Sequence, residues 1–108
     1  MFAVIYQGYV KPGREQEYRK LWNLIARYFI EKRGAIGSSL HRAADGLWVA
    51  YSRWPDQATR DASWPILNVP PDQLPEEIRI GFIAIKDCID DIRKVPEIPM
   101  EVVDDLLI

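Results

Sequence analysis

The first ten residues leave neither face of a strand for water. From Phe2 to Val10, strand alternation puts Phe2, Val4, Tyr6, Gly8 and Val10 on one side and Ala3, Ile5, Gln7 and Tyr9 on the other. A strand wet on one side alternates apolar with charged residues, and no charge occurs in this stretch. Both sides therefore need cover. In a chain of 108 residues one cover is the chain's own helices, and a second copy is the natural candidate for the other.

Composition narrows the class. The length suits one domain with a modest core, so residues 1–108 are expected to form a single domain. Fourteen basic and 16 acidic residues leave a net charge of −2, which offers no footprint for nucleic acid or an anionic membrane. No window approaches the ~20 apolar residues of a membrane span, and the start lacks a basic leader, so a cytoplasmic protein is expected. One cysteine, Cys88, excludes an internal disulfide and a cysteine-based metal cluster, and the expected metal content is none.

Lys11-Pro12-Gly13 stops the first strand, and Tyr18, Leu21, Trp22, Ile25 and Phe29 then follow the spacing of one helical face. A helix over Arg14 to Lys32 is predicted, with Trp22 in its core stripe and Gly34 just past its end. Ala35 to Arg42 and Leu47 to Trp54 read as two strands joined by a turn containing Asp45-Gly46. Asp56 can cap a short helix that runs to about Ser63, and Pro65 to Pro71 reads as an irregular loop. From Pro75 the stripe Ile78, Phe82, Ile85, Ile89, Ile92 predicts a third helix that contains Cys88. Pro96 and Pro99 break it, and Met100 to Leu107 reads as a last, edge strand.

Strand, helix, hairpin, helix, strand is βαββαβ. The expected fold class is α+β: a ferredoxin-like arrangement with both helical layers on one side of a four-stranded antiparallel sheet. The bare sheet face predicts a homodimer, two sheets closing face to face into a dimeric α/β barrel with a small cavity under each sheet.

Three stretches carry a resemblance: Val10-Lys11-Pro12-Gly13-Arg14-Glu15, Gly34 to Arg42, and Ser52-Arg53-Trp54-Pro55-Asp56-Gln57-Ala58. They resemble the antibiotic biosynthesis monooxygenase family of dimeric α/β barrels over about the first sixty residues. The resemblance implies several activities: cofactor-free oxygenation of electron-rich aromatic or quinol substrates, haem degradation, quinone formation, or none. The haem-degrading pattern of an Asn on the first strand, a Trp after the third strand and a later iron-binding His transfers only in part. Gln7 stands at the Asn and Trp64 near the Trp, but no histidine follows Trp64, so haem is disfavoured and no cofactor is expected.

Each candidate residue has a chemical and a structural reading. Gln7 either orients a substrate carbonyl or is a buried amide satisfied by backbone or water. Tyr51 and Arg53 either stabilise a developing phenolate or superoxide charge or form a rim contact. These three are the candidate catalytic residues. Ile5, Tyr9, His41 and Trp64 are the candidate substrate-cavity residues, with His41, the only histidine, either a general base or a strand-surface side chain. Trp48 and Trp54 read as cavity wall or as core and dimer contact.

The resulting expectation is a cofactor-independent monooxygenase acting on a small electron-rich aromatic or quinol-type substrate. The alternative is a non-catalytic ligand-binding or assembly module of the same fold. A small aromatic molecule and a second copy of the chain are the expected partners.

Overall fold

A computed structural model describes residues 1–63 and 73–107. The expectations for Trp64 and for the loop over 65–71 lie outside the described residues. Four strands, β1 (Phe2–Tyr9), β2 (Gly37–Arg42), β3 (Leu47–Trp54) and β4 (Ile98–Glu101), and three helices, α1 (Glu15–Lys32), α2 (Gln57–Ser63) and α3 (Glu76–Asp87), follow the order β1-α1-β2-β3-α2-α3-β4. The sheet is antiparallel throughout and ordered β2-β3-β1-β4. This is the predicted α+β ferredoxin-like arrangement, with β1 and β3 central.

Register fixes which side chains go under the helices. Phe2 faces Trp54, Val4 faces Ser52 and Tyr6 faces Ala50, so the even-numbered residues of β1 and β3 share one face. Burial along β3 alternates strictly: Trp48, Ala50, Ser52 and Trp54 are buried, and Leu47, Val49, Tyr51 and Arg53 are half-buried. The buried set packs on α1 and α3. Phe2, Val4 and Trp54 cluster with Ile25 and Phe29 of α1, and Trp48 clusters with Tyr18 and Cys88. Gly81, in the middle of α3, faces Leu24 and Ile25 of α1 with room for a methyl group at ordinary contact distance. Among the described residues no helix lies on the other sheet face.

Local chemistry sets the element ends. Gly13 and Gly34 both adopt a φ of 85°, opening the turn before α1 and closing the one after it, where the Ala35 N–H reaches back to the Phe29 carbonyl at 3.1 Å. Asp56 caps α2 as predicted, its Oδ1 accepting the Thr59 N–H at 2.7 Å. No described helix is long and apolar enough to cross a membrane.

Three expectations are corrected. The third helix stops at Asp87 instead of running through Ile92, because the extension of β1 captures the chain that follows. The Lys11 N–H bonds the Cys88 carbonyl at 2.8 Å, and the Asp90 N–H bonds the Tyr9 carbonyl at 2.8 Å. Cys88 is therefore a fully buried C-cap and Ile92 stands in solvent. The last strand is Ile98–Glu101 instead of Met100 to Leu107; it pairs Ile98 with Ile5 and Met100 with Ala3, with Pro99 tolerated on an edge strand. Beyond it the Asp105 carboxylate accepts the Leu107 N–H at 3.0 Å, which turns the chain. Trp22 is half-buried instead of core, since it borders the space between helices and sheet.

Candidate functional site

Helices do not fill the whole buried face of the sheet. A cavity of about 200 Å³ remains between them. Its floor is the inner face of the sheet: Tyr6 of β1, Ser38 of β2, and Ala50, Ser52 and Trp54 of β3. Its roof comes from Trp22, Ile25 and Phe29 of α1 and from Phe82 and Ile85 of α3. The size compares with the ~150 Å³ apolar cavity that accepts benzene, so an aromatic molecule of one or two rings is the natural scale of occupant.

Polar groups enter at few points. At one end the Tyr6 hydroxyl accepts hydrogen bonds from Arg60 Nε at 3.3 Å and Nη2 at 3.2 Å. Arg60 is 4% exposed, and its charge is balanced by Glu97 at 2.6 Å and Asp61 at 3.3 Å. Three distant segments, β1, α2 and the approach to β4, thus meet at one guanidinium. Burial pushes the Tyr6 hydroxyl up to about 12 even though Arg60 pulls the other way. Burial also pushes Tyr18, on the α1 side, up to about 12. On the floor the Ser38 hydroxyl donates to Ser52 Oγ at 3.3 Å across the β2–β3 pair. Trp54, 1% exposed, has an indole N–H with no acceptor among the described residues. The described lining holds no carboxylate, no imidazole and no ammonium or guanidinium.

The sequence-predicted residues occupy the opposite side. Ile5, Gln7, Tyr9, Tyr51 and Arg53 are the odd-numbered positions of β1 and β3, and His41 faces Val49 in the register. Of the predicted residues that the structure describes, only Tyr51 also touches the cavity. Gln7 donates from Nε2 to the Pro96 carbonyl at 3.0 Å, so its amide is held by backbone. Arg53 forms an ion pair with Asp105, both side chains 15% exposed. The Tyr9 hydroxyl donates to Asp45 at 3.2 Å while the Arg93 guanidinium stacks on its ring at 3.4 Å. His41 is exposed and shares a 2.8 Å hydrogen bond with Ser39. The structure therefore gathers these residues on one face without joining them into a single enclosed pocket.

Tyr6 and Arg60 carry no role in the sequence reading. Tyr6 is visible there as a member of the inner strand face. Arg60 is hidden because a lone arginine in a seven-residue helix reads as surface; the one available signal is its i, i+3 spacing with Ser63, the other buried residue of α2.

A family model described as antibiotic biosynthesis monooxygenase matches residues 1–63. No curated protein matches the chain by sequence. Among solved structures, Rv0793 from Mycobacterium tuberculosis superposes with a TM-score of 0.72 at 16% identity, covering 97% of each chain. SnoaB from Streptomyces nogalater, a cofactor-independent oxygenase solved as a point mutant, gives 0.72 at 14% identity over 98% of this chain and 96% of its own. A conserved protein from Methanosarcina mazei Go1 gives 0.69 at 15% identity over 92% and 89%. At these identities the structures speak for the fold.

Proposed function

Since the chain belongs to the antibiotic biosynthesis monooxygenase family, we propose that its helix–sheet cavity binds a small electron-rich aromatic or quinol-type molecule and oxygenates it without a bound cofactor. The observation that carries this reading is a mainly apolar, partly open cavity lined by Tyr6, whose hydroxyl is held by the buried guanidinium of Arg60.

That arrangement divides the labour. A tyrosine pushed up to about 12 keeps its proton at neutral pH, so Tyr6 is an acid and hydrogen-bond donor, not a base. It suits an oxygen on which negative charge develops, and Arg60 stabilises that charge through it. Without a carboxylate or imidazole in the described lining, deprotonation falls to the substrate's own acidity. An activated methylene then loses a proton, passes electrons to dioxygen, and retains one oxygen atom as a carbonyl while its two hydrogens leave with the other as water. The protein contributes confinement, desolvation and anion stabilisation.

Gln7, Tyr51 and Arg53 enter this reading at the face between two copies of the chain. Support for a homodimer is the helix-free sheet face with its half-buried Ile5, Val49 and Tyr51, next to a C-terminal stretch whose Val103, Leu106 and Leu107 are 82%, 96% and 75% exposed.

Oxygen-electrode assays over anthrones, quinols and acidic phenols between about pH 6 and 9 test the proposal. Uptake above the uncatalysed rate, rising as the substrate ionises and needing no added flavin, metal or nicotinamide, is the expected result. Uptake at the uncatalysed rate for every compound and pH assigns the cavity to the second reading, a ligand-binding module, which the absence of a base in the described lining favours.

A further inference from the structure

A surface groove adjoins the cavity. It runs between α1 and the edge strand β2, bordered by Arg19, Trp22 and Asn23 of the helix and by Ser38, Leu40 and Arg42 of the strand. Two residues border both hollows, Trp22 from the helix and Ser38 from the strand. Periodicity produces the alignment. Glu15, Arg19, Trp22 and Ala26 step by four, three and four along one face of α1; the first three border the groove and the last two the cavity. Arg42, Leu40 and Ser38 stand opposite Trp48, Ala50 and Ser52 on the helix-facing side of β2 and run the same way, from groove to cavity. Charge is sorted along this path. Arg19 and Arg42 are exposed and enter no ion pair among the described residues, Arg42 lying over the Trp48 ring at 5.4 Å. The carboxylate that borders the groove, Glu15, accepts the Gly13 N–H at 3.3 Å. Farther in, the described lining is uncharged, so an anion finds cations at the groove and nothing beyond it to replace lost hydration.

We infer that this groove is the mouth of the cavity and that it selects aromatic molecules carrying an anionic oxygen group at one edge: the ring passes Trp22 into the apolar space, while a carboxylate or the oxygen of an acidic phenol stays with Arg19 and Arg42. The inference rests on the cavity being the ligand site and names the substrate class that site admits. Guanidinium groups suit such oxygens because their paired N–H donors match the acceptors of a carboxylate. A neutral analogue gains only the apolar contact with Trp22 and the cavity walls. Exposed charge pairs are weak singly, so the selectivity comes from two arginines acting on a ligand whose ring is already held.

The test compares 2-naphthoate with 2-naphthamide, planar molecules of one ring system that differ in charge, titrated calorimetrically into the full chain at neutral pH. Neither needs to react, so the result is independent of oxygenase activity. Wild type is expected to bind the naphthoate roughly three- to tenfold more tightly at low ionic strength, the ratio shrinking as salt is added. Arg19→Gln and Arg42→Gln, at exposed positions, are each expected to lower that ratio, and the double variant to bring it to about one by weakening the naphthoate alone. Entry is read separately. In ¹H–¹³C spectra the δ-methyl of Ile85, which borders the cavity and not the groove, should shift with both compounds; its loss in Ile85→Val assigns it. Naphthoate bound with that methyl in place puts the ligand in the groove alone and overturns the inference. Equal affinity for the two compounds, or a naphthoate preference that survives in the double variant, overturns it as well. Binding of neither compound overturns the reading of the cavity as a ligand site and this inference with it. Oxygen uptake at the uncatalysed rate with the naphthoate preference intact overturns the oxygenase reading alone and leaves this one standing.

Discussion

Arg60 and Tyr6 are 54 residues apart in sequence, yet the guanidinium donates twice to one phenolic oxygen, at 3.3 and 3.2 Å, from a position 4% exposed to solvent. Glu97 and Asp61 neutralise the charge from their half-exposed side, so a cation is buried against the cavity only because its counter-ions still reach water.

Removing a partner should therefore hurt more than removing the charge. Glu97→Gln takes away one of the two carboxylates described beside the Arg60 cation and is expected to cost about 1–3 kcal/mol, tempered by the water that reaches position 97. Arg60→Met, which removes the cation and leaves the Tyr6 hydroxyl, is expected to cost about 1 kcal/mol. Urea midpoints at neutral pH rank the two; the opposite order would show that Arg60 stabilises chiefly through its bonds to Tyr6.

Alkaline titration gives a second readout. Folded Tyr6 and Tyr18 ionise at about 12, and an unfolded tyrosine ionises near 10. Below about pH 10 both states are neutral and the contribution to stability is whole; above it the unfolded state releases its proton first, so stability falls as pH rises toward 12. The loss is on the order of 2 kcal/mol per residue. Ultraviolet absorbance of the phenolate should show Tyr6 and Tyr18 resisting ionisation until the chain unfolds, and Tyr6→Phe should remove the first of these contributions.

The four tryptophans are not equivalent. Trp54→Ala is expected to cost about 3–5 kcal/mol, as a fully buried ring between Phe2, Val4 and Phe29. Trp22→Ala is expected to cost about 1–2 kcal/mol, because half-buried Trp22 borders a space that already exists. Equal midpoints for the two variants would contradict the placement of the cavity beside Trp22.

Two glycines should respond with opposite signs. Gly81→Ala adds a methyl at ordinary contact distance, 3.6 Å from Leu24, inside a helix, and is expected to stabilise by about 0.5–1 kcal/mol. Gly34→Ala forces a side chain onto a φ of 85° and to 3.3 Å from Thr59, and is expected to destabilise by about 1–2 kcal/mol. Thermal midpoints of both variants suffice.

Self-association supplies the last prediction. Light scattering at micromolar concentration is expected to give a dimer, and Val49→Asp, on the helix-free face, a monomer. A monodisperse monomer for the unchanged chain would show that this face stays wet.

The first three strands and the first two helices were legible because local and global signals agree there: β3 alternates without exception, and Asp56 sits at the cap it chemically suits. The end of α3 was not. Ile89 and Ile92 continue the helical stripe perfectly well, and only the tertiary bond from the Asp90 N–H to the Tyr9 carbonyl stops it. The shift of β4 has the same origin, since its bounds come from pairing with β1 and not from its own residues. For the site, polarity made Gln7 and Arg53 stand out, and the structure adds what the sequence does not carry, that their partners are a backbone carbonyl and Asp105. The residue that matters electrostatically, Arg60, shows its burial only once β1 and the approach to β4 close around it.

The strict alternation of β3 has an evolutionary corollary. Trp48, Ala50, Ser52 and Trp54 look into the molecule, and Leu47, Val49, Tyr51 and Arg53 look out, so one eight-residue stretch encodes two unrelated surfaces in interleaved positions. Mutational drift in the inner set can retune which molecule is accommodated without disturbing what the outer set touches, and the reverse holds equally. Point substitutions are thus cheap experiments for such a lineage. A single inserted or deleted residue within the strand is not, because it would exchange the two sets wholesale and put Arg53 under the helices; sequence change in this stretch should therefore accumulate by replacement and almost never by length.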